Sequence, residues 1–240
     1  MSRLNVDKIT GKTGTNSGAP ITLSGDTATL GSGATLGSAV AGNWGWVLLQ
    51  TATADNTLGH LDIGNTLSGE GTDSLMTSTY KRYKILLDDC MCTGGNRDFF
   101  IRMFIDGTQK TTEYDYAVKY EDSNGVDNNT NSNNATQIKC NGSGINNYSG
   151  SANTTRFYGL SGEINLFDPA HEHFHFITGL LTYHSDNNMV EQSRFSGGNS
   201  RHQSNNGGGS AFGPLTKLRL YFSGSNFFRG TARLYGLKNA

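Results

Sequence analysis

The sequence predicts an all-β protein, with an extended Gly/Ser/Thr-rich N-terminal arm followed by an antiparallel two-sheet β-sandwich. Three observations predict this fold class. Residues 1–43 carry only isolated aliphatic side chains among small residues. From residue 44 onward, apolar and polar residues alternate with a period of two, as they do in half-buried strands. No window predicts an amphipathic helix longer than about two turns. The predicted domains are therefore the arm, 1–43, and the sandwich, 44–240.

The arm repeats one aliphatic residue about every six or seven positions. One such residue per repeat cannot build a core within a single chain, because ordering the backbone costs roughly 1–2 kcal/mol per residue. Two interpretations stay open: a disordered linker, or an arm that other chains order by pointing each Leu at a shared three-fold axis. Two tryptophans after the repeat are predicted interface anchors. The residues assigned to attachment and oligomerisation are Ile21, Leu23, Leu30, Leu36, Trp44 and Trp46.

Residues of one parity along each run form the predicted core of the sandwich. Clear runs lie at 83–87 and 99–105. The tyrosine row at 114–120 is predicted to pack in the core or against another subunit, and a sugar-stacking face is the alternative. Two long stretches rich in Asn, Ser and Gly, 122–153 and 196–213, are predicted loops. About ten strands joined by such loops favour a jelly-roll-like layout.

Charge and composition argue against several classes of function. The chain has 19 Lys and Arg against 20 Asp and Glu, and its arginines form no basic stripe, so nucleic acid is not an expected partner. No run of about 18 apolar residues predicts membrane insertion. The first residues lack the apolar stretch of a signal peptide. The cysteines, Cys90, Cys92 and Cys140, are odd in number, which predicts synthesis in a reducing compartment.

The sharpest candidate for chemistry is the His-x-His-x-His run at 171–175. On a strand, its imidazoles would share one face while Phe174 and Phe176 enter the core. The three rings are too widely spread for one metal ion, but two of them could chelate it. Symmetry-related pairs from three chains could then complete a site on a trimer axis. His173 and His175 are the metal candidates, and a polar row without metal is the alternative.

No motif predicts catalysis. His184-Ser185-Asp186 is consecutive, whereas the members of a catalytic triad meet through the fold. The signatures of phosphate-binding loops and of zinc proteases are missing from the sequence. Asp88-Asp89 and Asp55 could be imagined as carboxylates for sugar hydrolysis, but strand-end charges are the alternative. We expect no enzyme activity and no cofactor.

Two parts of the sequence resemble a known group of proteins. The first reads LNVDKITGKTG at 4–14 and APITLSGDTATLG at 19–31. The second reads SGSNFF at 223–228 and GTARLYGL at 230–237. They resemble the N-terminal arms and the closing jelly-roll strands of virion structural and tail-fibre-like proteins of marine tailed bacteriophages, especially those infecting cyanobacteria.

The resemblance implies a homotrimer in the virion, made in the host cytoplasm, whose arm docks on other virion proteins. It also implies a use for the histidine row, since some phage fibres hold iron through His-x-His motifs at a three-fold axis. The first function expected is a tail fibre or tail-attached receptor-binding protein. Alternatives are a capsid decoration or head-fibre protein and, of a different class, a polysaccharide-degrading tail enzyme.

Receptor contact is expected in the two long polar stretches, because recognition is commonly placed on adaptable loops of a rigid scaffold. The receptor would be a host-surface glycan or protein. The contact residues chosen from these stretches are Asn128, Asn131, Tyr148, Arg201 and Asn205.

Overall fold

The protein is described by a computed structural model, which covers residues 8–9, 21–24, 27–30, 45–65, 74–146, 159–185, 189–199 and 213–238. The chain forms two compact units, Met1–Asn43 and Trp44–Ala240. All regular structure within the described residues is β-strand, and the second unit contains two antiparallel sheets. The prediction of an all-β protein with a two-sheet sandwich is confirmed.

In the first unit, three short strands form an antiparallel sheet in the order β1-β2-β3. These strands are β1 (Lys8–Ile9), β2 (Ile21–Ser24) and β3 (Thr27–Leu30). Ile21 is the cross-strand partner of Leu30, and Leu23 is the partner of Ala28. Leu36 and Trp44 lie outside the described residues. The oligomerising role of this unit stays a prediction.

The second unit consists of an eight-stranded and a five-stranded sheet, with strands numbered along the chain. In spatial order, the eight-stranded sheet contains β10 (Asp127–Ala135), β9 (Tyr114–Asp122), β14 (Val190–Asn199), β13 (Phe176–His184), β12 (Leu160–Phe167), β6 (Tyr80–Cys92), β16 (Phe227–Lys238) and β4 (Trp46–Ala54). The other sheet contains β11 (Ile138–Lys139), β7 (Phe99–Ile105), β15 (Leu215–Phe222) and β5 (Leu61–Ile63), with β8 (Thr108–Gln109) paired to β7.

Alternate residues of the two sheets meet in one hydrophobic core. Tyr83, Ile85 and Leu87 of β6 are buried, as the parity of the sequence predicts. The tyrosine row of β9 also faces this core. Tyr114 is buried, and its hydroxyl accepts a hydrogen bond from Met103 N. Tyr116 and Tyr120 are half-buried and pack against the core. The sugar-stacking alternative for this row is therefore wrong.

The stretch at 122–146 is not the long loop that its composition suggested. It folds back on β9 as strand β10, after a tight turn in which Asp122 Oδ1 accepts hydrogen bonds from Asn124 N and Val126 N. Gly125 adopts φ 76°, a left-handed conformation that suits this residue. The Asn-rich sequence is tolerated because β10 is an edge strand, where solvated side chains need no apolar partner.

The histidine run does not lie on a strand, so that expectation is wrong. Residues 171–173 form bends after Pro169, and β13 begins only at Phe176. Asp168 has φ 48°, and the Pro169 carbonyl accepts a hydrogen bond from Leu215 N, which ties the turn to β15. His175 is consequently buried, whereas Phe176, expected in the core, is 55% exposed.

Candidate functional site

The outer face of the eight-stranded sheet carries the side chains that point away from the core. On β13, Ile177 and Leu181 are buried, whereas Phe176, Thr178 and Leu180 are exposed. The same alternation continues on β9 and β14, because successive side chains of a strand point to opposite faces.

A groove of about 440 Å³ lies on this face, where β9, β14 and β13 run side by side. We call it the central groove. Its floor is a row of small side chains, since Ser196 pairs with Ala117 on one side and with Thr178 on the other. The side chains that border the groove on the outer face are Asp115, Ala117, Phe176, Thr178, Ser196 and Gly198.

The groove exists because larger side chains stand on both sides of the small row. Towards one end of the strands, Arg194 pairs with Lys119 and with Leu180. Towards the other end, Gly198 lies between Asp115 and Phe176. Rows of the same face are two residues apart, which is about 7 Å along a strand.

A second, smaller cavity of about 90 Å³ adjoins the central groove on the same sheet, and we call it the polar pocket. Its lining consists of Lys119, Tyr120, Glu121, Asp127, Gln192 and Arg194. Lys119 Nζ lies 2.8 Å from Asp127 Oδ2, in an ion pair exposed to solvent. Such a pair contributes little to stability, roughly 0–1 kcal/mol. The two cavities occupy neighbouring rows of β9 and β14 on this face, and together they form a region that the exposed ring of Phe176 borders at one end.

Charges on this region nearly cancel. The region contains two cationic side chains, Lys119 and Arg194, and three carboxylates, which belong to Asp115, Glu121 and Asp127. The surface thus offers hydrogen-bonding groups without a strong field of either sign, which does not favour a polyanionic partner.

The residues expected to contact a receptor are only partly brought together. Asn131 is on β10 opposite Ala117, at the end of the row that forms the floor of the central groove. Asn128 is on the same exposed edge strand, opposite Tyr120. Tyr148, Arg201 and Asn205 lie outside the described residues.

Trp46 begins β4, an edge strand of the eight-stranded sheet. Its indole is 43% exposed, and Lys84 Nζ lies 5.4 Å from the ring centroid. Val47 and Leu48 are exposed as well. An apolar edge strand of this kind is a ready site for pairing with another chain.

The rings of His171 and His173 stack with centroids 5.9 Å apart, and the rings of His173 and His175 are tilted by 48° with centroids 5.4 Å apart. His175 Nε2 lies 2.8 Å from Gly213 O, and Lys81 Nζ lies 2.8 Å from His171 Nε2. In the part of the chain that the structure describes, no three His, Cys, Asp or Glu side chains form a group that could hold a metal ion.

A buried polar cluster lies inside the sandwich around Glu191, which is 2% exposed. Tyr183 donates a hydrogen bond of 2.9 Å to Glu191 Oε2, and Ser143 donates to Oε1. Gly142 N donates to the Tyr183 oxygen, so the carboxylate fastens the segment after β11 to β13 and β14. Burial raises the pKa of the Tyr183 hydroxyl. This buried arrangement serves packing between the described strands.

The other groups considered for chemistry are paired or at least partly buried. Asp88 pairs with Arg233, and Asp89 with Arg229, which accounts for the acidic pair at the strand end. The buried Ser185 hydroxyl makes no hydrogen bond among the described residues. His184 Nδ1 lies 3.2 Å from the Ser185 carbonyl oxygen. Burial raises the pKa of the Cys90 thiol to about 12, which makes it a poor nucleophile at neutral pH.

Sequence reasoning missed Phe176, Thr178 and Ser196 as site residues. A signal was available on β13, because Ile177 and Leu181 share a parity that leaves Phe176 and Thr178 on the opposite face. The meeting of β13 with β9 and β14 had no such signal, because pairing between distant strands leaves no local pattern.

No protein family, curated protein or solved structure matches this chain. Among the residues that the structure describes, no helix is long and apolar enough to cross a membrane.

Proposed function

We propose that the protein is a bacteriophage virion structural protein: a trimeric tail fibre or tail-attached receptor-binding protein anchored by its N-terminal arm. The observation that carries the binding role is the central groove, an open, solvent-facing cavity on a rigid sheet with an exposed aromatic ring at its border. Open clefts that combine an apolar surface with a few polar groups are the usual form of ligand sites.

The virion assignment rests on the sequences of the arm and of residues 223–237, the last turn and strand β16, which resemble those of marine phage virion proteins. The trimer is supported by the exposed apolar residues at the start of β4, Trp46, Val47 and Leu48. Burying such residues against another chain would stabilise an oligomer by about 25 cal/mol for each Å² of apolar surface removed from water.

Binding without chemistry is supported by the partners of the candidate catalytic groups. The carboxylate of Glu191 is enclosed, and those of Asp88 and Asp89 are engaged by arginines. A polysaccharide-degrading tail enzyme would need an accessible pair of carboxylates about 5–10 Å apart across a sugar-binding cleft. Glu121 and Asp127 are exposed cross-strand partners beside the groove, but Asp127 is held in an ion pair by Lys119.

The test is to image purified virus particles with gold-labelled antibodies raised against residues 44–240. We expect label at the tail. Label on the head would favour the capsid decoration or head-fibre alternative, and unlabelled particles would overturn the virion assignment. Light scattering of the full chain should give the mass of three copies, and a monomer would contradict the trimer. Release of reducing sugar ends from host polysaccharide would contradict the non-enzymatic role.

A further inference from the structure

We propose that the central groove binds a neutral oligosaccharide, whose sugar ring stacks on Phe176 while its hydroxyl groups bond to the polar residues of the groove. This inference rests on the proposed function in host attachment and names the ligand class for the same site. It starts from the ring of Phe176, the first residue of β13, which is 55% exposed on a strand that has four strands on one side and three on the other.

The exposed ring of Phe176 is suited to stacking on a sugar. Removing the apolar face of an aromatic ring from water is favourable, and the C–H face of a pyranose supplies an apolar surface for that contact. Gly198, opposite Phe176, carries no side chain, and a Cβ there would stand 2.9 Å from Phe176 Cδ1, so the ring lies close to the β14 backbone. A ligand ring would stack on the part of Phe176 that is exposed at the border of the groove.

Hydrogen-bonding groups follow the floor of the groove across the sheet. The row contains the hydroxyls of Ser196 and Thr178, and it continues to an amide at each end, Asn131 on β10 and Asn165 on β12. From β10 to β12 the row spans four strand spacings, about 19 Å. That length fits several linked sugars better than a single one.

The charges of the region select a neutral ligand. Two cations, Lys119 and Arg194, are outnumbered by three carboxylates, and Lys119 is already paired with Asp127. Asp115, at the border of the groove, can accept hydrogen bonds from sugar hydroxyls but would repel an acidic sugar. The surface is therefore poorly suited to sulfated or uronic acid polymers.

The geometry also argues against an extended peptide as the occupant. The backbone groups of β9, β13 and β14 are paired with strands on both sides, so no free edge is available beneath the groove for an added strand. Recognition there must use side chains, and these are hydroxyls, amides, one carboxylate and one aromatic ring.

The experiment titrates the full chain by calorimetry with four neutral hexasaccharides (of cellulose, laminarin, amylose and mannan type) and with two acidic ones, hexagalacturonate and a heparin hexasaccharide. We expect at least one neutral probe to bind. Phe176→Ala should weaken that binding about tenfold, the loss of one stacking contact. Ser196→Tyr, which fills the floor from an exposed strand position, should abolish it.

The matched control is Val190→Ala. Val190 is 56% exposed at the far end of β14 and lines neither cavity. Its replacement should change the affinity less than twofold. Equal losses in the Phe176 and Val190 variants, or none in Ser196→Tyr, would overturn the groove as the site. Binding of the acidic probes alone would overturn the choice of a neutral ligand.

Failure of this inference can be distinguished from failure of the proposed function. A second assay measures attachment of the fluorescently labelled full chain to host cells. If none of the six probes binds but the labelled chain attaches, the glycan inference is wrong and the attachment role stands. If the full chain attaches to no host cell and antibodies label no particle, the proposed function itself is wrong.

Discussion

Gly198 lies directly opposite Phe176 across the ladder between β13 and β14, and a Cβ atom on the glycine would stand 2.9 Å from Phe176 Cδ1. The same Cβ would clash with the carbonyl oxygen of His175. The glycine thus lets the backbone before β13 approach β14 closely and lets the aromatic ring lie against the β14 backbone. The turn that contains the histidine run and the border of the central groove therefore both depend on Gly198.

Replacing this glycine should therefore damage the fold. We expect Gly198→Ala to lower the free energy of unfolding by about 1–3 kcal/mol, because the backbone must shift to admit the methyl group. Urea denaturation followed by tryptophan fluorescence measures the change. Ser196→Ala, two residues earlier on the same strand and exposed, should stay within about 0.5 kcal/mol. Equal stability of the two variants would contradict the close approach.

The buried carboxylate of Glu191 gives a second prediction. Glu191→Ala removes the acceptor of the hydrogen bonds from Tyr183 and Ser143, and a hydrogen bond to a charged group contributes about 1.5–3 kcal/mol. We expect a loss of about 2–4 kcal/mol in unfolding free energy by denaturant titration. Glu121→Ala, an exposed residue of β9, is the control and should have little effect. A loss as small as that of the control would show that the cluster does not fasten this region.

A third prediction concerns the outer face of the five-stranded sheet, where Lys217 and Arg219 share Asp62. Lys217 is only 1% exposed, with Nζ 3.0 Å from Asp62 Oδ2 and 4.0 Å from the centroid of the Phe104 ring. Asp62→Asn leaves both cations without this carboxylate, so we expect a loss of about 3–5 kcal/mol. Asp127→Asn removes the carboxylate of an exposed pair and should cost at most about 1 kcal/mol.

The same carboxylate predicts how stability changes in acid. Burial alone would raise the pKa of Asp62, but hydrogen bonds from Arg219 and Lys217 outweigh it and hold the pKa below the ordinary value of 3.8. The stabilisation is therefore present above pH 3.8 and is lost as the pH falls through the lower folded-state pKa. Unfolding free energies measured across this range should fall more steeply in the unmodified protein than in Asp62→Asn.

His175 predicts a second pH dependence at milder acidity. Burial lowers the pKa of this imidazole below 6.5, and nearby His173 also lowers it. The hydrogen bond to Gly213 O and the carboxylate of Asp168 raise the pKa, but they do not outweigh burial. The fold favours the neutral ring, so stability is highest above pH 6.5 and falls as the pH drops below it. His175→Gln, whose amide can still donate to Gly213 O, should flatten this part of the curve. An unchanged slope would contradict the assignment.

Much of the fold was predictable because apolar and polar residues alternate along each strand, and this pattern can be read within a single segment. The parity of Tyr83, Ile85 and Leu87 identifies the inner face of β6 without any knowledge of its neighbours. Strand β10 was not predictable, because its residues have low strand propensity and it is held by the backbone ladder to β9. For the same reason Asn131, expected on a loop, lies on a strand beside the groove.

The histidine run shows the limit of periodicity. Its alternating pattern predicts a strand, but Asp168 and Pro169 turn the chain first, so His175 is buried and Phe176 is exposed. The pattern is shifted by one residue from the expected parity, and a shift of one residue moves every side chain to the opposite face.

The sequence by itself determined an all-β sandwich preceded by an arm of different composition, because alternation and composition are local properties of the chain. Only the tertiary structure decided where a ligand could bind. Asp115, Phe176 and Gly198 meet because β14 pairs with β9 on one side and β13 on the other. That register is set by hydrogen bonds between strands far apart in the chain and by burial of their inner faces, and neither leaves a mark in any single segment.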